Sequence, residues 1–285
     1  MTTLRPASSA LLLALSLAIS GLACSSDPAS TSTTSASATT GSSAGGSGGA
    51  DATSSSSGTG GAGGTGTGTG STSSAGGAGG GASVPLAGFG DITGACGVLD
   101  AMDIQSSSPR LVRGAIDFGM AMFDPTKLSP GGQVIYNKGN LGGSSLESEI
   151  ISYEVLYRCE LATLLKTEGD VLYQSSMGKK TDLLVSMDTF KVGVSVTRAY
   201  GFPPDAPYTV MQAYDLLNKK LSEILLSTAN VTPADAWKKQ ILHVIAYTSA
   251  HADAMEQAYA MVDPAVRADT VLLLTVTEGD DEFIY

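Results

Sequence analysis

From Ser25 to Ala82 almost every residue is Ser, Thr, Gly or Ala, and residues 64–70 alternate Gly and Thr without a break. Such a stretch has no apolar periodicity and almost nothing to bury, so it cannot offset chain entropy. It reads as a flexible coil of about 58 residues whose root-mean-square span is on the order of 40 Å. Its hydroxyls also suit O-glycosylation. Only about 200 residues, from Ser83 onward, are left to form a core, which is enough for one domain. Four regions follow: 1–23 as an export signal, 24–82 as a tether, 83–143 as an irregular peripheral segment, and 144–285 as the folded domain.

The net charge of the 285-residue chain is −11. Phosphate affinity needs clustered Lys and Arg, so no nucleic-acid partner is expected. The pairs Lys179-Lys180, Lys219-Lys220 and Lys238-Lys239 read as solvated faces. Three cysteines are too few for a disulfide-dense scaffold, and the absence of a CxxC excludes a zinc ribbon.

Near the start, Arg5 precedes an apolar run from Ala10 to Ile19. About ten residues is too short to span a bilayer, which needs roughly 20. A short apolar run behind a positive start is an export signal. Gly21-Leu22-Ala23-Cys24 follows. This resembles a bacterial lipoprotein signal, in which small residues precede a cysteine that takes a diacylglycerol. It departs from the usual pattern because Gly21, not Leu, stands three places before Cys24. The resemblance implies an exported protein anchored to the cell envelope through acylated Cys24, with the membrane lipid as its first partner. Two or three acyl chains, at about 0.8 kcal/mol per buried CH₂, anchor stably. In that family Asp after the cysteine favours the inner membrane; Ser25 here points to the outer one. A further envelope or extracellular partner is expected, but its chemistry is not readable.

The domain reads as α/β. Ser144 or Ser145 can cap a helix with Glu147 and Glu149 in its first turn, where the helix dipole favours negative charge. Apolar spacing predicts that this helix runs to near Gly169. Asp170–Tyr173, Thr181–Val185 and Lys191–Thr197 predict three strands, the last two joined by a hairpin at Ser186–Thr189. Gln133–Tyr136 predicts a strand within the peripheral segment. A helix is expected from Tyr208 to about Ser227. A long one is expected from Thr232-Pro233 to Met261. Thr270–Thr277 is a continuous apolar run, the pattern of a strand covered on both faces.

The order is an α-β-β-β-α-(α)-β core with a mixed sheet flanked by helices. It resembles the PD-(D/E)XK nuclease superfamily, the restriction-endonuclease-like fold, over roughly residues 144–277. That resemblance implies a strand Asp and an acid-x-Lys pair on the next strand, holding a divalent metal beside an attacking water. Asp182 matches the first Asp and is the candidate metal ligand. Ser195 stands for the acid and Thr197 for the lysine. Glu154 is the candidate helix glutamate, with Glu160 as the alternative. A neutral hydroxyl is a weak metal ligand and Thr supplies no cation, so a non-catalytic binding or structural module is expected, with no cofactor. The alternative is a phosphodiesterase using Mg²⁺ at Asp182 with atypical partners.

A second alternative is a serine hydrolase using Ser195. Gly193-Val194-Ser195 begins like a nucleophile elbow, but Thr197 replaces the second glycine and the run continues as strand. His243 and His251 fall on one expected long helix and read as hydrogen-bonded helix histidines. Cys96 and Cys159 form an even set once Cys24 is lipidated. They either form a disulfide, tying the peripheral segment to the first helix, or leave Cys159 as a buried thiol.

Overall fold

The computed structural model describes residues 84–142, 145–201, 203 and 206–285. The leader, Cys24 and the tether lie outside the described residues, as does Ser144. The chain begins with strands β1 (Val84–Pro85) and β2 (Asp91–Gly94), a short helix α1 (Ala101–Gln105) and strand β3 (Arg110–Asp117). Helices α2 (Pro130–Lys138) and α3 (Leu146–Cys159) follow. Next come β4 (Thr163–Thr167), β5 (Leu183–Met187), β6 (Phe190–Ala199) and the 21-residue helix α4 (Val210–Asn230). The last elements are β7 (Lys239–Ala246), α5 (Ser249–Met261), α6 (Pro264–Arg267) and β8 (Val271–Glu278).

The strands make one mixed sheet in the order β1-β2-β3-β8-β7-β6-β5-β4. The four central strands, β3, β8, β7 and β6, are parallel, and the outer pairs on both sides are antiparallel. Helices cover both faces, so the fold is a single α/β domain. On one face Val192, Val194, Ile241 and Leu273 pack with Ile150, Ile151 and Tyr153 of α3. On the other, Leu242, Val244, Leu272 and Leu274 pack with Leu217 and Leu221 of α4 and Met255 of α5. Alternation along β7 and β8 feeds both cores. That is why these strands read as unbroken apolar runs.

Several expected boundaries are corrected. The first helix stops at Cys159, not near Gly169. Leu161 takes a positive φ of 53° and turns the chain, and Thr163–Thr167 becomes the edge strand. The Leu161, Leu164, Leu165 spacing is therefore strand alternation after a turn. Leu164 packs on the core while Leu161 and Leu165 are exposed. Asp170–Tyr173 is not a strand of the sheet; Tyr173 makes an isolated bridge to Val231. Gln133–Tyr136 is helical, because Ser129 caps α2 and Pro130 starts it. The long helix from Thr232 is instead a turn, strand β7 and helix α5. Thr248 caps α5 by accepting the His251 N–H. The 83–143 segment is not peripheral: β3 pairs in parallel with β8 along its whole length. Val112, Gly114 and Ile116 are the buried alternate positions that carry it.

Cys96 and Cys159 are joined by a disulfide, which ties the chain after β2 to the end of α3. The adjacent Glu160 carboxylate accepts the N–H groups of Gly97, Val98 and Leu99 at 3.0–3.3 Å. Glu160 thus serves as an anchor for this loop. No helix among the described residues is long and apolar enough to cross a membrane.

Candidate functional site

Asp182 stands just ahead of β5. Its N–H donates to the Val194 carbonyl at 3.0 Å, and its Oδ2 accepts the Val196 N–H at 2.6 Å. Two bonds to β6 therefore fix where the carboxylate points. It lines a cavity of about 340 Å³. Glu149 comes to the same cavity from the first turn of α3, Glu168 from the chain after β4, Thr197 and Arg198 from β6, and Lys220 from α4. The site thus draws on both helical layers and on the sheet between them.

Burial dominates its electrostatics. Glu149 is only 3 % exposed. Its Oε1 accepts from Asn140 Nδ2 at 2.8 Å and from Ser145 Oγ at 3.0 Å. Desolvation, reinforced by the Asp182 charge, nevertheless pushes its pKa up to about 7. Asp182 is pushed up to about 6, again chiefly by burial; the Val196 N–H and the Lys220 ammonium act against the rise and Glu168 adds to it. Arg198 Nη1 donates to the Ile284 carbonyl at 2.5 Å. Two carboxyls that change charge near neutrality can exchange protons or hold a polar ligand. They lie in a cavity whose acidic groups outnumber its basic ones.

Of the residues that the nuclease resemblance singles out, Asp182 and Thr197 reach this cavity. Glu154 does not. Its Oε1 accepts the Ser129 N–H at 2.8 Å and the Ser129 hydroxyl at 2.6 Å, and its Oε2 pairs with Arg158 Nη2 at 3.2 Å. Wholly buried, it pins the cap of α2 to α3. Ser195 lies on the opposite side of β6 from Val194 and Val196, buried, with its hydroxyl 3.3 Å from Thr181 Oγ1. From sequence alone, Glu149 stands only as a charge favoured by the helix dipole. The useful signal was its place in the first turn of the helix that packs over β6.

The histidines do not share a helix. His243 is on β7, with Nδ1 2.8 Å from Ser152 Oγ and Nε2 2.8 Å from Thr275 Oγ1. Burial drives its pKa down to about 3. His251, in the first turn of α5, meets Thr248 Oγ1 at 2.8 Å and stacks on Tyr208. Two of the lysines read as solvated are not. Lys220 lines the cavity. Lys239 is buried, and its Nζ donates to the carbonyls of Ser106 at 2.7 Å and Ser108 at 3.1 Å.

The donor set does not suit a divalent metal. One Asp182 oxygen is committed to a backbone N–H, the Ser195 hydroxyl meets Thr181 and does not line the cavity, and Thr197 is neutral. Among the described residues no group of three His, Cys, Asp or Glu side chains is arranged to hold a metal ion. The residues do not fit the ion that the nuclease resemblance implies.

The fold and site together define an α/β sandwich protein with a carboxylate-lined polar cavity at one side of its parallel core. No family model matches the chain. No solved structure matches it. It is similar to a Dictyostelium discoideum protein, the AAC-rich mRNA clone AAC4 protein, at 37 % identity over 164 residues, covering 55 % of this chain. The matched region is 24 % of that protein, so the chain spans about a quarter of its relative's length.

Proposed function

We propose that this is an exported cell-envelope protein, lipid-anchored through Cys24, whose α/β domain is a non-catalytic binding module on a nuclease-like scaffold. The leader and the tether after Cys24 support the first half of that reading. The run α3-β4-β5-β6-α4-β7, an antiparallel meander followed by a helix and a parallel strand, supports the second. In that alignment the closing strand is β7, not the Thr270–Thr277 run.

One observation carries the non-catalytic reading. Where the superfamily has an acid and a lysine, this chain has Ser195 bonded to Thr181 and a neutral Thr197. Asp182 is left without the partners that hold a metal and stabilise a phosphoryl transition state. The cavity suits a small polar ligand taken by Glu149, Asp182, Thr197 and Lys220. A phosphodiesterase assay with Mg²⁺ or Mn²⁺ tests the domain; no cleavage dependent on Asp182 is expected. Palmitate labelling tests the anchor; it is expected in the intact chain and lost in Cys24→Ser.

A further inference from the structure

The cavity holds three carboxylates against two cations, and the two cations are differently engaged. Glu149 faces it from α3, Glu168 from the segment after β4, Asp182 from the start of β5, and Arg198 and Lys220 from β6 and α4. The Arg198 guanidinium is drawn to the Ile284 carbonyl. Lys220 makes no ion pair within 4 Å among the described residues, so its ammonium acts on the carboxylates through space. Its side chain is half-buried, while Lys219, next to it on α4, is exposed.

We infer that Lys220 is the resident cation of this cavity, a tethered ammonium that excludes divalent ions from the carboxylates it faces. The inference rests on the binding-module reading and extends it: the cavity selects against metal ions and for ligands that tolerate a fixed positive charge on the α4 wall. A like charge repels a divalent ion twice as strongly as a monovalent one, and in a partly desolvated cavity that repulsion is weakly screened. Asp182 responds to the same field, because Lys220 opposes the rise that burial imposes on its carboxyl.

The test is a Mn²⁺ titration of the full chain at pH 8, read as free ion by electron paramagnetic resonance. Wild type, Lys219→Met and Lys220→Arg should bind Mn²⁺ equally weakly. Lys220→Met should bind at least about tenfold more tightly, the effect of removing one cation from the wall of the same cavity. Adding Asp182→Asn to Lys220→Met should abolish the gain. Broadening of the Val196 and Thr197 amide resonances by Mn²⁺ should occur only in Lys220→Met. If that variant does not fold, Lys220→Gln in the same titration decides the matter. Equal affinity in wild type and a folded Lys220→Met or Lys220→Gln variant overturns the inference, as does a gain that survives Asp182→Asn. Either result leaves the non-catalytic reading standing. Conversely, Asp182-dependent cleavage would remove that reading without altering the Mn²⁺ comparison.

Discussion

His243 Nδ1 lies 2.8 Å from Ser152 Oγ, joining the middle of β7 to the middle of α3 through the centre of one core. Its other nitrogen meets Thr275 on β8. Because burial holds its folded pKa at about 3, against 6.5 when exposed, the unfolded chain takes up a proton that the folded chain refuses. Stability from this residue is complete above pH 6.5 and is lost as pH falls toward 3. The loss is about 1.4 kcal/mol for each pH unit crossed. Urea unfolding of wild type and His243→Gln at pH 7.5 and pH 5 should show the wild-type advantage shrinking at the lower pH.

Glu149 has the opposite sign. Its folded pKa is raised from 4.5 to about 7, so the ionised carboxylate is a cost above pH 7 that fades as pH drops to 4.5. Glu149→Gln should stabilise the protein by about 2–3 kcal/mol at pH 8.5 and by almost nothing at pH 4.5. Denaturant midpoints at the two pH values check this.

Glu154 should behave as a structural residue. Glu154→Ala leaves Arg158 without its buried partner and removes the acceptor for Ser129, and is expected to cost about 3–5 kcal/mol. At a temperature where the variant is folded, ligand binding at the Asp182 cavity should be unchanged. Isothermal titration alongside Asp182→Asn separates the two roles.

The disulfide closes a loop between residues 63 apart in sequence. Replacing both Cys96 and Cys159 by Ala should cost roughly 2–5 kcal/mol. Thermal unfolding of the double variant against the oxidised wild type measures it.

How far the sequence reached is decided by particular residues. The strand Val271–Glu278 is legible as the run Thr270–Thr277 because that run is short, rich in β-branched Val and Thr, and closed by Gly279 one residue beyond Glu278, which favours a strand buried on both faces over a helix. Lys239–Ala246 has the same burial but was read as helix. It follows Thr232-Pro233, a helix-start signal, and an apolar run of that length carries no period of its own. Strand β3 is hard to read from sequence because Arg110, Arg113 and Gly114 look like loop chemistry, yet Gly114 is buried in step with Val112 and Ile116 while Arg113 falls between them. At the site, Asp182 is singled out because it matches the strand Asp of the nuclease resemblance, within the expected strand Thr181–Val185. Glu149 was passed over for Glu154 because one-dimensional spacing cannot show which helix face meets the cavity. Ser129, 25 residues away, claims Glu154.

The most direct test of the whole account is a cleavage assay of the purified full chain on single- and double-stranded DNA and on bis(p-nitrophenyl) phosphate, with Mg²⁺ or Mn²⁺, beside Asp182→Ala. The account expects both proteins to stay at the no-enzyme background in every condition. Metal-dependent cleavage by the wild type that Asp182→Ala abolishes would contradict it.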